Sequence, residues 1–229
     1  MNKEYPPHPH THPLPVPEPP LTPHPQSQDY IFTVDWFSPH ILLWGNYLNH
    51  YKGKPNLRFL EIGSYQGRAA VWLLENILTH NSSSITCIDT FEGSVEHHEH
   101  FKDDIKNLFE TFSHNMYRFG DKVKVMKNRS QVALKHLSIC GANLNKGDDG
   151  QFDFVYIDGD HRASSVMEDA VLSLPLLKQG GLMIFDDYLW TCSKKDIDDP
   201  KPAIDAFIHL YADKIKVLFI NQQVIIRKL

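Results

Sequence analysis

The chain has 229 residues, of which 41% are hydrophobic, and its formal net charge at pH 7 is -5. This length suffices for one sizeable core and leaves little room for a second domain. The mildly acidic charge, without a concentrated basic segment, disfavours a nucleic-acid partner. No apolar run approaches the roughly 20 residues that cross a bilayer, and the N-terminus lacks the order of a signal peptide, so we expect a cytoplasmic protein that does not bind a membrane.

Residues 1–28 differ in composition from the rest of the chain. They contain ten of the fifteen prolines, interleaved with histidines, and almost nothing that could form a core. Because such a segment buries too little apolar surface to offset the entropy of ordering, we predict a disordered, partly polyproline-like tail. One folded domain is expected over residues 29–229.

From residue 29 onward, strand-like and helix-like segments alternate, which predicts an α/β fold with helices on both faces of a sheet. The predicted strands are Arg58–Ile62, Ile85–Ile88, Val123–Met126, Phe152–Ile157 and Leu182–Phe185. The predicted helices are Ser38–Leu48 with Ser38 as N-cap, Ala69–Leu78, Phe101–Phe112, Val132–Leu137 and Val166–Leu177. Ile215–Ile220 and Val224–Ile226 are too close for a helical crossover, so we expect five parallel strands followed by a C-terminal antiparallel hairpin.

Acidic residues follow four of the predicted strands. Glu61 ends the first strand, Asp89 follows the second, Asp158 the fourth, and Asp186 and Asp187 the fifth. In an open parallel sheet, ligands bind outside the carboxyl ends of the strands, near the point where the strand order reverses. The sequence therefore predicts a ligand site lined by these carboxylates.

The segment Glu61–Gly67 indicates a nucleoside-containing ligand. Gly63 and Gly67 allow a sharp turn and a close backbone approach, and Asp89 can accept two hydrogen bonds from a ribose diol. A dinucleotide fold needs a third glycine at the helix start, and an acid in the turn would repel a pyrophosphate, so the pattern favours a cationic ligand that carries adenosine. An ordinary packing turn between strand and helix is the alternative.

These residues resemble the class I S-adenosylmethionine-dependent methyltransferases, and the resemblance covers nearly all of the chain after residue 28. Glu61–Gly67 is similar to their first motif, Asp89 to their ribose-binding acid, and residues 129–131 to their adenine-contacting segment. The resemblance implies a Rossmann-like methyltransferase fold with S-adenosylmethionine as cofactor. The cofactor-binding residues that it implies are Glu61, Gly63, Ser64, Gly67, Asp89, Thr90, Ser130, Gln131 and Asp158.

Two further stretches resemble metal-binding segments. FVYIDGDH at 154–161 and IFDDYLW at 184–190 are similar to segments of the metal-dependent small-molecule O-methyltransferases, which include catechol, caffeoyl-coenzyme A, macrolide and aminocoumarin sugar types. This likeness implies Asp158, Asp186 and Asp187 as ligands of Mg²⁺ or another hard divalent cation. Independently, carboxylates that converge at neighbouring strand ends repel one another unless such a cation lies between them.

The same likeness implies two candidates for the catalytic base. The sugar-modifying relatives use the aspartate two places after the first metal ligand, here Asp160, whereas the catechol-like relatives use a lysine three places after it, where this chain has His161. Both residue types can accept a proton near neutral pH. We favour Asp160, and a packing or hydrogen-bonding role for His161 stays open.

The leading interpretation is O-methylation of a hydroxyl on a small-molecule acceptor, such as a sugar, a phenol or another natural product. Two alternatives keep the fold: a component of a hydroxylation system, and a cofactor-binding module without turnover. The sequence does not identify the acceptor, because pocket shape depends on loops without a readable code.

Three regions have more than one interpretation. Tyr188–Trp190 either line the acceptor pocket or pack beneath the polar insertion over residues 191–200. The apolar region Ile31–Tyr51 suits a homodimer contact or a pocket lid. His97, His98 and His100 are interpreted as a solvated face instead of a metal site.

Overall fold

A computed structural model of the chain describes residues 29–94, 101–144, 151–191 and 199–229. The predicted tail, the three histidines of residues 97–100 and most of the polar insertion lie outside these ranges.

The described residues form a seven-stranded sheet in the order β3-β2-β1-β4-β5-β7-β6. The strands are β1 (Arg58–Ile62), β2 (Ser84–Asp89), β3 (Val123–Lys127), β4 (Phe152–Ile157), β5 (Leu177–Phe185), β6 (Ile215–Ile220) and β7 (Val224–Lys228). β1 to β5 are parallel, and β7 pairs antiparallel with both β5 and β6. The predicted five parallel strands and hairpin are confirmed, and the strand order reverses between β1 and β4.

One α-helix precedes β1, and the other α-helices of the described residues lie between strands along the chain. In chain order, the α-helices are α1 (Ile41–Leu48), α2 (Arg68–Asn76), α3 (Lys102–Ile105), α4 (Leu108–Met116), α5 (Ser130–Leu144), α6 (Ala163–Ser173) and α7 (Pro200–Leu210). None of the helices among the described residues is long and apolar enough to cross a membrane.

Several predicted helix bounds are wrong. The helix expected over residues 101–112 is two helices, with Asn107 immediately before α4. The helix expected to reach Leu177 ends at Ser173, because Pro175 lies in the following 3-10 turn and has no N–H to donate. Ser38 is not an N-cap: it begins a 3-10 turn, and its backbone N–H donates to Asp35 Oδ1 at 2.9 Å.

Helix α7 was not expected from the sequence. It begins at Pro200, the last residue of the polar insertion, and buries Ala203, Ile204 and Phe207 along one face. A proline at the first helical position after Asp199 is a helix-start pattern, so a local signal exists. With α7 in place, the second face of the sheet is covered near its hairpin end.

Two hydrophobic clusters fill the two faces of the sheet. Helices α1, α2 and α4 contribute to the first cluster, and helices α5, α6 and α7 to the second. In the apolar region Ile31–Tyr51, Phe37, Trp44, Leu48 and Tyr51 are buried in the first cluster. Much of that region's apolar surface therefore packs against the chain's own sheet.

Candidate active site

A turn over residues 63–67, here called the glycine turn, joins β1 to α2. Gly63 and Gly67 both have positive φ, +85° and +81°, which side chains other than glycine rarely adopt. A Cβ on Gly63 would overlap the backbone carbonyl oxygen of Asp158, and a Cβ on Gly67 would lie 2.6 Å from Met116 Cε. The backbone conformation therefore favours glycine at both positions, and the Asp158 backbone excludes any side chain at Gly63.

Glu61 lies buried at the end of β1, with only 1% of its surface exposed. Burial raises the pKa of its carboxyl to about 7, and the neighbouring Ser64 and Cys87 side chains lower it only in part. Its Oε2 atom accepts no hydrogen bond from the residues that the structure describes. An unsatisfied buried carboxylate oxygen is costly, so this position suits a ligand that brings a cation or an N–H donor.

Asp89 ends β2 and ties that strand to the glycine turn. Its Oδ2 accepts the backbone N–H of Tyr65 at 2.8 Å, and its Oδ1 accepts that of Phe91 at 2.7 Å. Burial raises the pKa of Asp89, and these two backbone amides oppose the shift. Each carboxylate oxygen can accept a further hydrogen bond, as binding of a ribose diol requires. The adjacent Thr90 accepts the N–H of Glu92 through its hydroxyl.

Ser130 and Gln131 begin α5 beside β2. The chain leading to them is held by a hydrogen bond from the backbone N–H of Asn128 to the Asp89 carbonyl, at 2.9 Å. Both side chains are half-buried. The predicted adenine-contacting segment therefore lies next to the end of β2, beside the predicted ribose-binding acid.

Asp169 on α6 is a buried acid beside this segment. Burial raises its pKa to about 7, the Ser130 side chain lowers it in part, and Asp160 adds a repulsion that raises it. A Cβ on Gly159 would lie 3.5 Å from Asp169 Oδ2. Asp169 thus lies between the start of α5 and the loop after β4. Its one sequence signal is an aspartate on a helical face whose other buried residues are small or apolar: Ser165, Val166, Ala170 and Ser173.

Asp158, His161 and Asp187 form a cluster that could hold a metal ion, since one ligand atom of each lies within 4.8 Å of the others. His161 Nε2 lies 3.0 Å from Asp187 Oδ2 and 3.9 Å from Asp158 Oδ1. The His161 ring packs edge-on against Trp190, with 4.9 Å between ring centroids. This acidic cluster brings together the loop after β4 and the loop after β5.

Asp186 lies beside the acidic cluster and is held from two sides. The backbone N–H of Asp187 donates to its Oδ1 at 2.8 Å, and the Tyr156 hydroxyl contacts its Oδ2. The same hydroxyl lies 2.9 Å from Asp158 Oδ2, although it has only one proton to donate. Desolvation and the charge of Asp186 raise the pKa of Asp158 well above its ordinary value. The crowded negative charge fits a hard divalent cation. Tyr156 has no sequence signal for this position except its spacing of two residues from Asp158.

Asp160 points to the start of α6. Its carboxylate forms an ion pair with the Arg162 guanidinium and accepts the Ser165 hydroxyl at 3.0 Å. Burial alone would raise the pKa of Asp160, but the hydrogen bonds from Arg162 and Ser165 outweigh it and lower the pKa. The carboxylate is therefore a weaker base than an ordinary aspartate. Of the two candidate bases, only His161 belongs to the acidic cluster, where it contacts Asp187.

Tyr188 and Trp190 have different surroundings. The Tyr188 hydroxyl donates to Asp205 Oδ1 on α7 at 2.8 Å and accepts from Lys201 Nζ at 2.8 Å. Tyr188 therefore packs against α7, in line with the packing interpretation. Trp190 contacts His161 and so lies against the acidic cluster, and Leu189 is 45% exposed.

The sheet order, the glycine turn and the acids at the strand ends define a Rossmann-like fold of the class I methyltransferases. A family model described as a methyltransferase domain matches residues 60–188, which is more than half of the chain. The chain therefore belongs to this methyltransferase family. The matched range includes every residue predicted to bind cofactor or metal.

Solved structures share the fold at low sequence identity. The O-methyltransferase TomG from Streptomyces achromogenes, solved with SAM, is 14% identical, with a TM-score of 0.57, over 83% of this chain and 80% of its own. The MycE methyltransferase of mycinamycin biosynthesis, solved with Mg, SAH and mycinamycin VI, is 17% identical, with a TM-score of 0.53. That match covers 86% of this chain and 50% of the MycE chain. Among curated proteins, none matches the sequence.

Proposed function

We propose that this protein transfers a methyl group from S-adenosylmethionine to a hydroxyl of a small molecule, with a divalent cation such as Mg²⁺ bound beside the acceptor. The observation that carries the proposal is the backbone contact between Gly63 and Asp158. It sets the glycine turn directly against the acidic cluster, so a methyl donor on the turn would lie next to an acceptor at the cluster. Holding two reactants side by side is a large part of what a transferase must do.

The cofactor is assigned to the edge formed by β1, β2 and α5. Glu61 would hold the amino group of the methionine part, because its buried Oε2 needs a donor and a cation offsets its charge. Asp89 would accept the ribose hydroxyls, and Ser130 and Gln131 would contact the adenine. The bare backbone of the glycine turn leaves room for the ligand chain to pass closely.

The metal is assigned to Asp158, Asp186 and Asp187, which follow the neighbouring strands β4 and β5. The fit rests on the crowding of Asp158 and Asp186 around one Tyr156 hydroxyl, which leaves negative charge without compensation. Carboxylate oxygens favour Mg²⁺ or Mn²⁺. When bound, such a cation would supply the positive charge that lowers the pKa of an acceptor hydroxyl.

We favour His161 as the base, which reverses the preference drawn from the sequence. Its Nε2 lies 3.0 Å from Asp187 Oδ2, so a proton taken up on Nε2 would be held by that carboxylate. A nearby carboxylate also stabilises the imidazolium that forms when the ring takes a proton. Asp160 is engaged by Arg162, and protonating it would break that ion pair.

Release of S-adenosylhomocysteine, measured with a panel of phenols, catechols and glycosides, tests this function. We expect turnover with at least one hydroxyl acceptor, and its loss on chelation with EDTA. His161→Ala should abolish turnover at pH 7.5, whereas Asp160→Asn should retain most of it. Turnover that survives His161→Ala but not Asp160→Asn would restore Asp160 as the base.

Metal binding is measured without an acceptor, from the loss of the free Mn²⁺ signal in electron paramagnetic resonance. We expect the wild type to bind about one Mn²⁺, and Asp187→Asn to weaken binding at least tenfold, since it removes a charged ligand. Asp205→Asn on α7 is the matched control. Equal Mn²⁺ binding by wild type and Asp187→Asn would contradict the metal assignment.

A further inference from the structure

Residues 29–36, here called the strap, cross the glycine turn and α4 before the chain enters α1. The strap forms neither helix nor strand. It is held by two amide side chains, Asn115 of α4 and Gln66 of the glycine turn, which are among the most completely buried polar groups of the described residues, at 1% and 3% exposed. Buried amides need well-placed partners, so these contacts are specific.

Asn115 joins the strap to the turn. Its Oδ1 accepts the backbone N–H of Ile31 at 2.8 Å. Its Nδ2 donates to the Ile31 carbonyl and to the Gln66 carbonyl, both at 2.8 Å. One side chain therefore binds both backbone groups of a strap residue and also the backbone of the glycine turn.

Gln66 binds Thr33, which lies two residues after Ile31 in the strap. Its Oε1 accepts the backbone N–H of Thr33 at 2.9 Å, and its Nε2 donates to the Thr33 hydroxyl at 2.7 Å. The residue before it, Tyr65, donates its N–H to Asp89. A displacement of Gln66 would therefore be passed to the carboxylate assigned to the cofactor ribose.

The end of the strap also covers the turn. The Trp36 ring lies 5.4 Å from the rings of Tyr65 and Phe101, measured between centroids. Arg68, the first residue of α2, donates to the Val34 carbonyl at 3.2 Å and lies 4.2 Å from the centre of the Phe32 ring. The strap is thus attached on both sides of the glycine turn.

We infer that Gln66 and Asn115 are positioning residues for the cofactor: they hold the strap against the glycine turn, so that strap closure and S-adenosylmethionine binding favour each other. The inference rests on the proposed function, because it takes S-adenosylmethionine as the ligand of the turn. If closure favours binding, then binding favours closure by the same factor. Neither amide touches the cofactor in this account, since both act through the turn.

Matched variants of the full chain test the coupling. Thr33→Val removes the hydroxyl that accepts from Gln66 and leaves a buried donor unpaired, so we expect S-adenosylmethionine to bind about fivefold to tenfold more weakly. Thr33→Ser keeps the hydroxyl and should restore wild-type affinity. Tyr30→Phe removes a strap contact to Glu75 of α2, away from the turn, and should change the affinity less than about twofold.

Chymotrypsin cleavage of the wild type gives a second readout. The strap contains Tyr30, Phe32 and Trp36, which are cleavage sites for this protease. We expect saturating S-adenosylmethionine to slow cleavage at these sites by about fivefold to tenfold, by the reciprocity of coupled sites. Binding also stabilises the fold as a whole, so cleavage outside the strap, at Phe219 of β6, is the reference and should slow less than cleavage at the strap sites.

The outcomes separate the two proposals. Wild type that binds S-adenosylmethionine, with unchanged affinity in Thr33→Val and unchanged strap cleavage, would overturn the coupling and leave the proposed function standing. Folded wild type that does not bind S-adenosylmethionine would overturn both. Weaker binding in Thr33→Val that Thr33→Ser does not restore would also count against the role of the hydroxyl.

Discussion

The raised pKa of Glu61 predicts a pH-dependent affinity for S-adenosylmethionine. Burial raises this pKa from 4.5 to about 7 in the ligand-free protein, while the assigned role needs the carboxylate form. Below pH 7, binding must first remove the proton. At pH 5 the gap is about two pH units, which at about 1.4 kcal/mol per unit corresponds to about 2.7 kcal/mol, or roughly a hundredfold loss of affinity.

Isothermal titration calorimetry between pH 5 and 8.5 measures this effect, and buffers with different ionisation enthalpies report the protons released on binding. We expect release of up to one proton near pH 6 and a plateau in affinity above pH 8. Glu61→Gln should abolish both the release and the slope. Asp169→Asn, which removes the other buried acid with a pKa of about 7, should keep the slope.

An affinity that stays constant between pH 5 and 8 would refute the assigned role of Glu61. The same conclusion would follow if Glu61→Gln kept the wild-type slope. If Asp169→Asn removed the slope instead, the proton would belong to the acid on α6.

Three further changes have defined outcomes. Gly63→Ala should abolish cofactor binding and lower the free energy of unfolding by at least about 2 kcal/mol, because the new Cβ would overlap the Asp158 backbone and the backbone φ is positive. Calorimetric titration measures the binding, and urea unfolding measures the stability. Burial raises the pKa of Asp169 above its unfolded value of 3.8, so its stabilising contribution is complete below about pH 4 and is lost as the pH rises to about 7. Asp169→Asn should therefore be more stable relative to wild type at pH 8 than at pH 4.5, by about 3 kcal/mol in urea unfolding. An equal difference at both pH values would count against this explanation. Tyr156→Phe removes the hydroxyl that lies between Asp158 and Asp186 and should lower the free energy of unfolding by about 1–3 kcal/mol in the absence of metal. Added Mg²⁺ should reduce this loss of stability. A loss of stability that does not depend on Mg²⁺ would argue against a cation at this site.

Most of the fold could be predicted because strand signals are local. The apolar runs at Arg58–Ile62 and Phe152–Ile157 are strands in the structure, and the tight connection before Val224 correctly indicates a hairpin. Sequence alone did not reveal that β7 inserts between β5 and β6, since pairing order depends on contacts between distant segments. Helix α7 was missed because the polar insertion before it obscured a helix start at Pro200.

The location of the site could be predicted because the carboxyl ends of parallel strands lie at the same edge of the sheet. That rule brings Glu61, Asp89 and Asp158 together from positions far apart in the chain. It says nothing about side-chain partners, and so it could not show that Asp160 pairs with Arg162 while His161 pairs with Asp187. The direction of each side chain after β4 depends on the local turn and on the packing of α6.

The buried polar residues around the site were the least predictable. In the sequence, Asn115 and Gln66 cannot be told from ordinary helix and turn residues. Their role becomes visible only from their hydrogen bonds to the strap. Asp169 likewise becomes informative once α5 and α6 are side by side. The roles of such residues depend on contacts between segments that are distant in the chain, and hydrophobic periodicity does not predict those contacts.

The edge between β1 and β2 is the proposed binding site for S-adenosylmethionine. Calorimetric titration of the ligand-free protein with S-adenosylmethionine at pH 8, with Mg²⁺ present, tests it most directly. We expect a dissociation constant below about 100 μM, which corresponds to a binding free energy more favourable than about -5.5 kcal/mol. No detectable binding by protein shown to be folded would contradict the claim and leave the glycine turn as an ordinary connection between strand and helix.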